Sequence, residues 1–414
     1  MPPATLIEPD LQFIKEVKAY GGDTLKKCFQ CATCSVVCNL SPDDRPFPRK
    51  EMIWAQWGLK ERLLSDPDVW LCHQCNDCST YCPRGARPGD VMKAIQRESV
   101  VHYSRPSFLG RWMNEPKYLP LLLSIPAVLL GLALLVKAPI ENALGMAQHT
   151  GKQIIYSTTS MFPHWLLNSF FLFFSALVFI VTIVGVMRFW RALKTIDGQD
   201  APRTPAQGML QSIVSALKTI ITHSNFTKCT TESLRYVSHL CVFFGFIALF
   251  VVTLCVVTIR YNPLFHAHFV YPFNFWSPWK ILANLGGVAL ICGCFLMILN
   301  RLRKTEQVGT NTFADWAFIW ALIGVATSGL GTEFLHYARL EPHRFVAYFI
   351  HLVFVFVVLI YLPYTKFAHL IYRPVAMIYA EYFDRKRELS ASVVVKSGQT
   401  SMRIEVRDQY ENIK

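Results

Sequence analysis

Eight cysteines fall into two sets with one spacing, C-x2-C-x2-C-x3-C: Cys28, Cys31, Cys34 and Cys38, then Cys72, Cys75, Cys78 and Cys82. This is the spacing of [4Fe–4S] sites: three close thiolates wrap one cube, and the fourth cysteine of the run reaches the other cube. The expected ligand sets are therefore Cys28, Cys31, Cys34 and Cys82 for one cluster, and Cys72, Cys75, Cys78 and Cys38 for a second. Pro83 follows Cys82 as the pattern requires, whereas Asn39 follows Cys38 and proline is delayed to Pro42. Zinc is the competing metal, but a structural zinc site needs only two C-x2-C pairs. The other five cysteines, Cys229, Cys241, Cys255, Cys292 and Cys294, have no ligand spacing and read as small hydrophobes.

Imidazoles in apolar surroundings are the second candidate chemistry. His239, His351 and His369 lie in or beside charge-free runs, where an ionisable side chain is costly and marks function by default. Neutral imidazole is a good axial ligand for haem iron. His369 follows His351 by 18 residues, a distance of five helical turns that returns to the same face. Two imidazoles at opposite depths of one helix suit a stacked pair of b haems.

The elements that must position these groups divide the chain in two. Its 414 residues are 52% apolar, 14% aromatic and only 17% charged, with a formal charge of +13. That balance fits a membrane protein better than a nucleic-acid binder, since no basic run is interleaved with aromatics. Six runs are long enough to cross ~30 Å of hydrocarbon, at about 118–137, 164–187, 237–259, 280–300, 316–335 and 345–367. The expected domains are a two-cluster iron–sulfur domain at 1–110, a membrane domain at 111–380 and a tail at 381–414. The N-terminus has no positive segment leading into an apolar one, so no signal peptide is expected and the thiols start in the cytoplasm. There, metal ligation is the default over disulfides.

Lys/Arg-rich connectors, "RFWRALK", "RLRK" and "DRKRE", follow the second, fourth and sixth runs. The positive-inside rule puts them, the iron–sulfur domain and the C-terminus in the cytoplasm, with the chain multi-pass in the inner membrane. The connector after the second run carries Leu210, Ile213, Val214, Leu217, Ile220 and Ile221 at helical spacing. Such an amphipathic helix lies on the inner membrane surface or packs on a soluble partner.

The insert "KEMIWAQWGLKERLL" between the cysteine sets resembles that of alpha-helical ferredoxins from succinate dehydrogenase-like and heterodisulfide reductase-like proteins. The stretch "IHLVFVFVVLIYLPYTKFAHLIYRPVAMIYAEY" resembles the last span of the gamma subunit of respiratory nitrate reductase, a dihaem cytochrome b; "RLRKTEQVGTNTFADW" and His239 find counterparts there too. The fusion of the two modules resembles the C-subunit family of the quinone-interacting membrane-bound oxidoreductase complexes, Qmo. The fold implied is mainly α: an alpha-helical two-cluster ferredoxin followed by a six-helix transmembrane cytochrome b bundle.

That resemblance implies electron transfer between membrane quinone and cytoplasmic flavin–iron-sulfur subunits, Qmo subunits A and B, toward adenylylsulfate reductase in sulfate respiration. It pairs His239 with His369 on an inner b haem and gives His351 to an outer one. The outer partner expected ten residues after His239 is replaced by Leu249, so His164, opening the second span, is the first substitute. His336, His343, His266 and His268 also lie at outer levels. Glu333 and Lys280 are further polar groups at depths suited to quinone. A heterodisulfide reductase-like membrane subunit, or an iron–sulfur scaffold without electron flux, would use the same parts; a quinol-reducible haem band separates the scaffold from the others.

Overall fold

Short helices gather around the two cysteine loops. A computed structural model of the chain describes residues 8–42, 46–143, 161–200, 205, 207–229, 233–262, 273–303, 309–383, 394–397 and 400–403. Helix α1 (Leu11–Val17) starts at Asp10, whose carboxylate accepts from Phe13 N at 2.8 Å. Single turns α2 (Thr33–Val36) and α6 (Asp77–Thr80) carry the third cysteine of each loop. Between them, α3 (Arg49–Gln56), α4 (Lys60–Leu64) and α5 (Asp68–Leu71) make up the insert. The longer α7 (Pro88–Tyr103), begun by a proline suited to a first turn, backs the whole unit, and α8 (Ser107–Trp112) leads to the membrane helices.

Those helices are α9 (Leu119–Ala143), α10 (His164–Asp200), α13 (Ser233–Tyr261), α14 (Pro278–Leu302), α15 (Phe313–Tyr337) and α16 (His343–Ile360). Among the described residues, six helices are long and apolar enough to cross a membrane. Helices α11 (Met209–Thr222) and α12 (Ser224–Lys228) lie between α10 and α13, and α17 (His369–Tyr382) follows α16. An antiparallel pair, β1 (Val394–Ser397) with β2 (Thr400–Arg403), sets Val394 opposite Arg403.

Helices α13 and α14 approach backbone to backbone. A Cβ on Gly245 would stand 2.8 Å from Gly286 O, and one on Gly286 would stand 2.9 Å from Ala248 Cβ. Small residues let apolar helices gain dispersion contact where lipid offers no hydrophobic drive.

The expected sixth span ended too late. Helix α16 stops at Ile360, and residues 361–368 form two short 3₁₀ turns before α17 starts at His369. Pro363 has no N–H for the helix ladder and its ring opposes the carbonyl of Leu359. Tyr361 OH donates to Leu122 O at 3.1 Å and Tyr364 OH to Arg105 O at 2.6 Å, which anchors the break. His351 and His369 therefore belong to different helices, and the expectation of one continuous face fails. The second span runs past its expected end as well: α10 continues beyond 187, and Phe189 and Leu193 are fully buried.

One apolar core joins the iron–sulfur unit to the membrane helices. Phe13, Leu25, Met52, Leu63 and Val91 pack in a cluster that continues through Phe189 and Leu193 of α10 into Tyr372, Ala376 and Tyr379 of α17. Asp315, in the first turn of α15, is the polar counterpart. It completes a capping box with Thr312 and meets Lys93 Nζ at 2.5 Å, Arg97 Nη2 at 3.0 Å and Lys366 Nζ at 3.0 Å. Helix α11 rests on α17. Its small residues Ser212 and Ala216 are buried, while Leu210, Val214, Leu217 and Ile221 remain exposed, so the apolar face is turned outward.

Candidate functional site

The two cysteine loops share one backbone path. Gln30 and Ala32 take left-handed φ of 61° and 68°, and Gln74 and Asn76 take 55° and 67° at the matching positions. Non-glycine residues rarely adopt this region. Alternation of left- and right-handed residues folds the peptide N–H groups into a concavity of the kind that cradles iron–sulfur centres. Cys28, Cys31, Cys34 and Cys82 line one small cavity together with Arg49 and Arg84. Cys38 stands apart from them, beside Cys72, Cys75 and Cys78. Each group offers four sulfurs, the donor set of a cubane cluster. Burial pushes the Cys34 and Cys72 thiols up to about 12 and Cys38 up to about 11. Protons leave such thiols when a metal takes their place.

The second group faces the membrane helices. His73, inside its loop, is gripped from that side: its carbonyl accepts from Arg235 at 3.1 Å and its Nδ1 from Arg373 Nη2 at 3.0 Å. Burial, reinforced by the Arg373 and Arg235 charges, holds the His73 imidazole neutral. Arginine only donates, so Nδ1 is the acceptor and the proton sits on Nε2, which is buried without a hydrogen-bond partner. The His73 ring meets the edge of Phe226 at 4.2 Å, and Phe226 lies 5.1 Å from His239.

His239 and His369 line one cavity of about 1410 Å³ that begins at Cys72 and Cys75 and extends between the membrane helices to Phe354. His369 Nδ1 lies 2.5 Å from Lys366 O. A carbonyl only accepts, so Nδ1 carries the proton and Nε2 presents its lone pair, the orientation a metal-binding histidine adopts. His239 Nδ1 is buried without a hydrogen-bond partner. A buried imidazole with an unmet nitrogen, on the wall of a large apolar cavity that a second imidazole also lines, is a donor set that would fit a haem iron.

The outer histidines are arranged differently. His351 Nδ1 lies 3.2 Å from both Val325 O and Ser328 Oγ of α15, and a Cβ on Gly329 would come within 2.9 Å of its ring. His164 opens α10, whose first turns pack with Leu130 and Ala133 of α9 on the Phe349 and Leu352 side of α16. His336 ends α15, His343 begins α16, and His266 and His268 lie outside the described residues. Lys280 and Glu333 form an ion pair of 2.9 Å that Asn284 joins at 3.2 Å.

Sequence reasoning missed His73, His223 and Cys229. The His223 ring is 5.2 Å from that of His239, yet His223 follows α11 in a left-handed residue that no periodicity marks. Cys229 lies beside Cys75.

Residues 24–86 match the model of the 4Fe-4S dicluster domain. Residues 115–391, about two thirds of the chain, match the family model described as citrate utilization protein B. The chain belongs to the citrate utilization protein B family. A relative of that name from Escherichia coli is 26% identical over 326 residues, covering 74% of this chain and 80% of its own. The N-terminal part of this family member is similar to the C subunit of the H(2):CoB-CoM heterodisulfide,ferredoxin reductase of Methanothermobacter marburgensis, 40% identical over 94 residues (22% of this chain, 49% of the relative). It is also similar to a protein of Archaeoglobus profundus that is itself like the C subunit of heterodisulfide reductase, 36% identical over 89 residues (21% and 47%). The chain spans about half the length of those two relatives. No solved structure matches it. The molecule thus joins an iron–sulfur domain like the C subunit of heterodisulfide reductase to a citrate utilization protein B-like membrane region.

Proposed function

We propose that this chain is the membrane subunit of a quinone-linked oxidoreductase, a Qmo-like link between membrane quinone and cytoplasmic flavin–iron-sulfur partners. The observation that carries the reading is the single cavity shared by Cys72 and Cys75 at one end and His239 and His369 along its wall. When bound, two [4Fe–4S] clusters and a b haem supply one-electron redox chemistry. Cys28, Cys31, Cys34 and Cys82 hold the outward cluster; Cys38, Cys72, Cys75 and Cys78 hold the inward one; His239 and His369 hold the haem. Lys366 O fixes the His369 tautomer. Arg235 and Arg373 fix the His73 loop beneath the membrane helices.

The outward loop presents Phe29 and Val36 to solvent, 66% and 82% exposed, and Tyr81, next to the ligand Cys82, is 60% exposed beside them, which suits a docked redox partner. In a Qmo-like complex that partner leads to adenylylsulfate reductase. The iron–sulfur domain then faces the cytoplasm and the six apolar helices span the inner membrane. The test is the purified chain in detergent: iron, sulfide and pyridine-haemochrome content, and visible spectra before and after addition of a menaquinol analogue. Two clusters and at least one quinol-reducible b haem per chain are expected, a second haem falling to His351 with His164. Iron–sulfur without a quinol-reducible haem band would leave a membrane-anchored scaffold.

A further inference from the structure

The two cysteine loops differ in charge as well as in exposure. Over 24–38 and 78–89, the stretches that hold the outward group of four cysteines, the charged residues are Lys26, Lys27, Arg84 and Arg87, with no Asp or Glu. Arg87 pairs with Asp90 at 2.5 Å. Lys26, Lys27 and Arg84 are exposed. Arg49 joins them from α3, exposed as well and lining the same small cavity as Cys28, Cys31, Cys34 and Cys82. The stretch 64–77, which leads through the inward loop, carries Asp66, Asp68 and Asp77 and no Lys or Arg, and all three are buried.

The outward cations stand around an apolar centre and are held there. The Arg84 guanidinium lies over the Phe29 ring at 4.1 Å, and Arg49 Nε donates to Gln30 O at 3.1 Å. Phe29 and Val36 remain exposed between the cysteines, and Cys31 itself reaches the surface. Exposed aromatic and arginine side chains gathered on one patch are the composition of a protein interface.

We infer that this face docks an acidic surface: the redox partner meets the outward cluster through carboxylates that pair with Lys26, Lys27, Arg49 and Arg84 around an apolar contact with Phe29 and Val36. The inference rests on the cluster assignment proposed above. Cations around an electron-exchange site draw an anionic surface in and fix its orientation, so removing them changes association rate and salt dependence first. The Debye length falls from about 30 Å at 0.01 M salt to about 8 Å at 0.15 M, which sets the range over which the effect should fade.

The experiment mixes the full chain in detergent, reduced and freed of excess reductant, with one of two oxidants of opposite charge, ferricyanide or hexaammineruthenium(III). Each takes one electron from the reduced outward cluster, read by rapid-freeze EPR as the signal that survives in Cys38→Ser. Ferricyanide should oxidise it on the order of tenfold more slowly at about 0.2 M salt than at about 0.01 M, and hexaammineruthenium(III) should speed up over the same range. Poly-glutamate, an acidic polymer, should shield the outward cluster from ferricyanide. Lys26→Glu/Lys27→Glu should keep the iron of both clusters, flatten both salt trends and remove the shielding. Lys194→Glu/Lys218→Glu, the same charge change at exposed positions of α10 and α11, should behave as wild type. Equal effects of the two pairs would assign the trends to the net charge of +13 and overturn the inference. Ferricyanide rates indifferent to salt would overturn it too. Should the glutamate pair lose iron, Lys26→Gln/Lys27→Gln carries the test: about half of the flattening is expected, and none refutes the docking face. A wild-type chain without iron–sulfur signals removes the cluster assignment itself, a failure visible before any rate is compared.

Discussion

The two cysteine loops have the same spacing and the same left-handed residues, yet they occupy opposite surroundings. The first lies at the surface, with Cys31 exposed and Phe29 and Val36 open to solvent. In the second, Cys72 and Cys78 are buried, and His73, Arg235 and Arg373 close over it. A repeated motif fixes the loop; the neighbours fix what the loop is for. Solvent exposure and hydrogen bonds to sulfur tune a cluster's potential, so two copies of one motif stand in two unequal settings, one at the surface and one against the membrane helices.

The hardest blow to this contrast is Cys38→Ser. Cys38 belongs to the first run in sequence and to the second group in space, so the variant should lose the inward cluster and about half of the iron, with the outward EPR signal intact. Loss of the outward signal alone would sink the crossed assignment.

Next come His239→Ala and His369→Ala. If they ligate one haem as proposed, each should abolish the same low-spin b-type spectrum, because each would remove an axial ligand of one iron. Any change in EPR relaxation should be confined to the inward cluster. Two variants that erase different haem components would separate the histidines.

Asp315→Ala should act through seating alone. It leaves Lys93, Arg97 and Lys366 without their buried carboxylate, and breaking such a network costs about 3–5 kcal/mol. A lower melting temperature in detergent is expected, with the inward cluster lost earlier on heating than the outward one. Equal lability of the two clusters would mean that this contact does not hold the second loop to the membrane helices.

The smallest effect concerns the insert that supports both loops. Glu51 is fully buried, 3.3 Å from Lys50 and close to Asp66 and Asp68, and burial pushes its carboxyl upward. A folded pKa above the unfolded one gives stability that is complete below the ordinary carboxylate range and is lost as pH rises through the folded value. The melting temperature of the wild type should therefore decline from about pH 5 upward, and Glu51→Gln should flatten that slope for both clusters alike. A slope that survives the substitution would assign it to another group.

Much of this was legible in the residues. The cysteine spacing names its cofactor, because thiolate geometry around a cube leaves few alternatives, and charge-free runs announce spans, because the bilayer sets their length. Other features depend on where distant segments meet. The break at 361–368 was hidden inside an apolar run, although Pro363 stood there as a signal. His223 and Cys229 carry no periodicity, and nothing local distinguishes them from filler until α11 and α12 bring them against His239 and Cys75. The exposed apolar face of α11 was readable as a stripe, but its seat on α17 rests on Ser212 and Ala216, residues a hydrophobicity pattern passes over.

The interruption between α16 and α17 also has a mechanical meaning. A bilayer that thins or thickens tilts the helices it surrounds, and one rigid rod from 343 to 382 would carry that tilt to His369 as torque. The turn at Pro363 is a swivel whose far side is clamped, Tyr364 to the carbonyl of Arg105 and Lys366 to Asp315. His369 thus takes its position from the iron–sulfur side and the first turn of α15 rather than from the direction of α16.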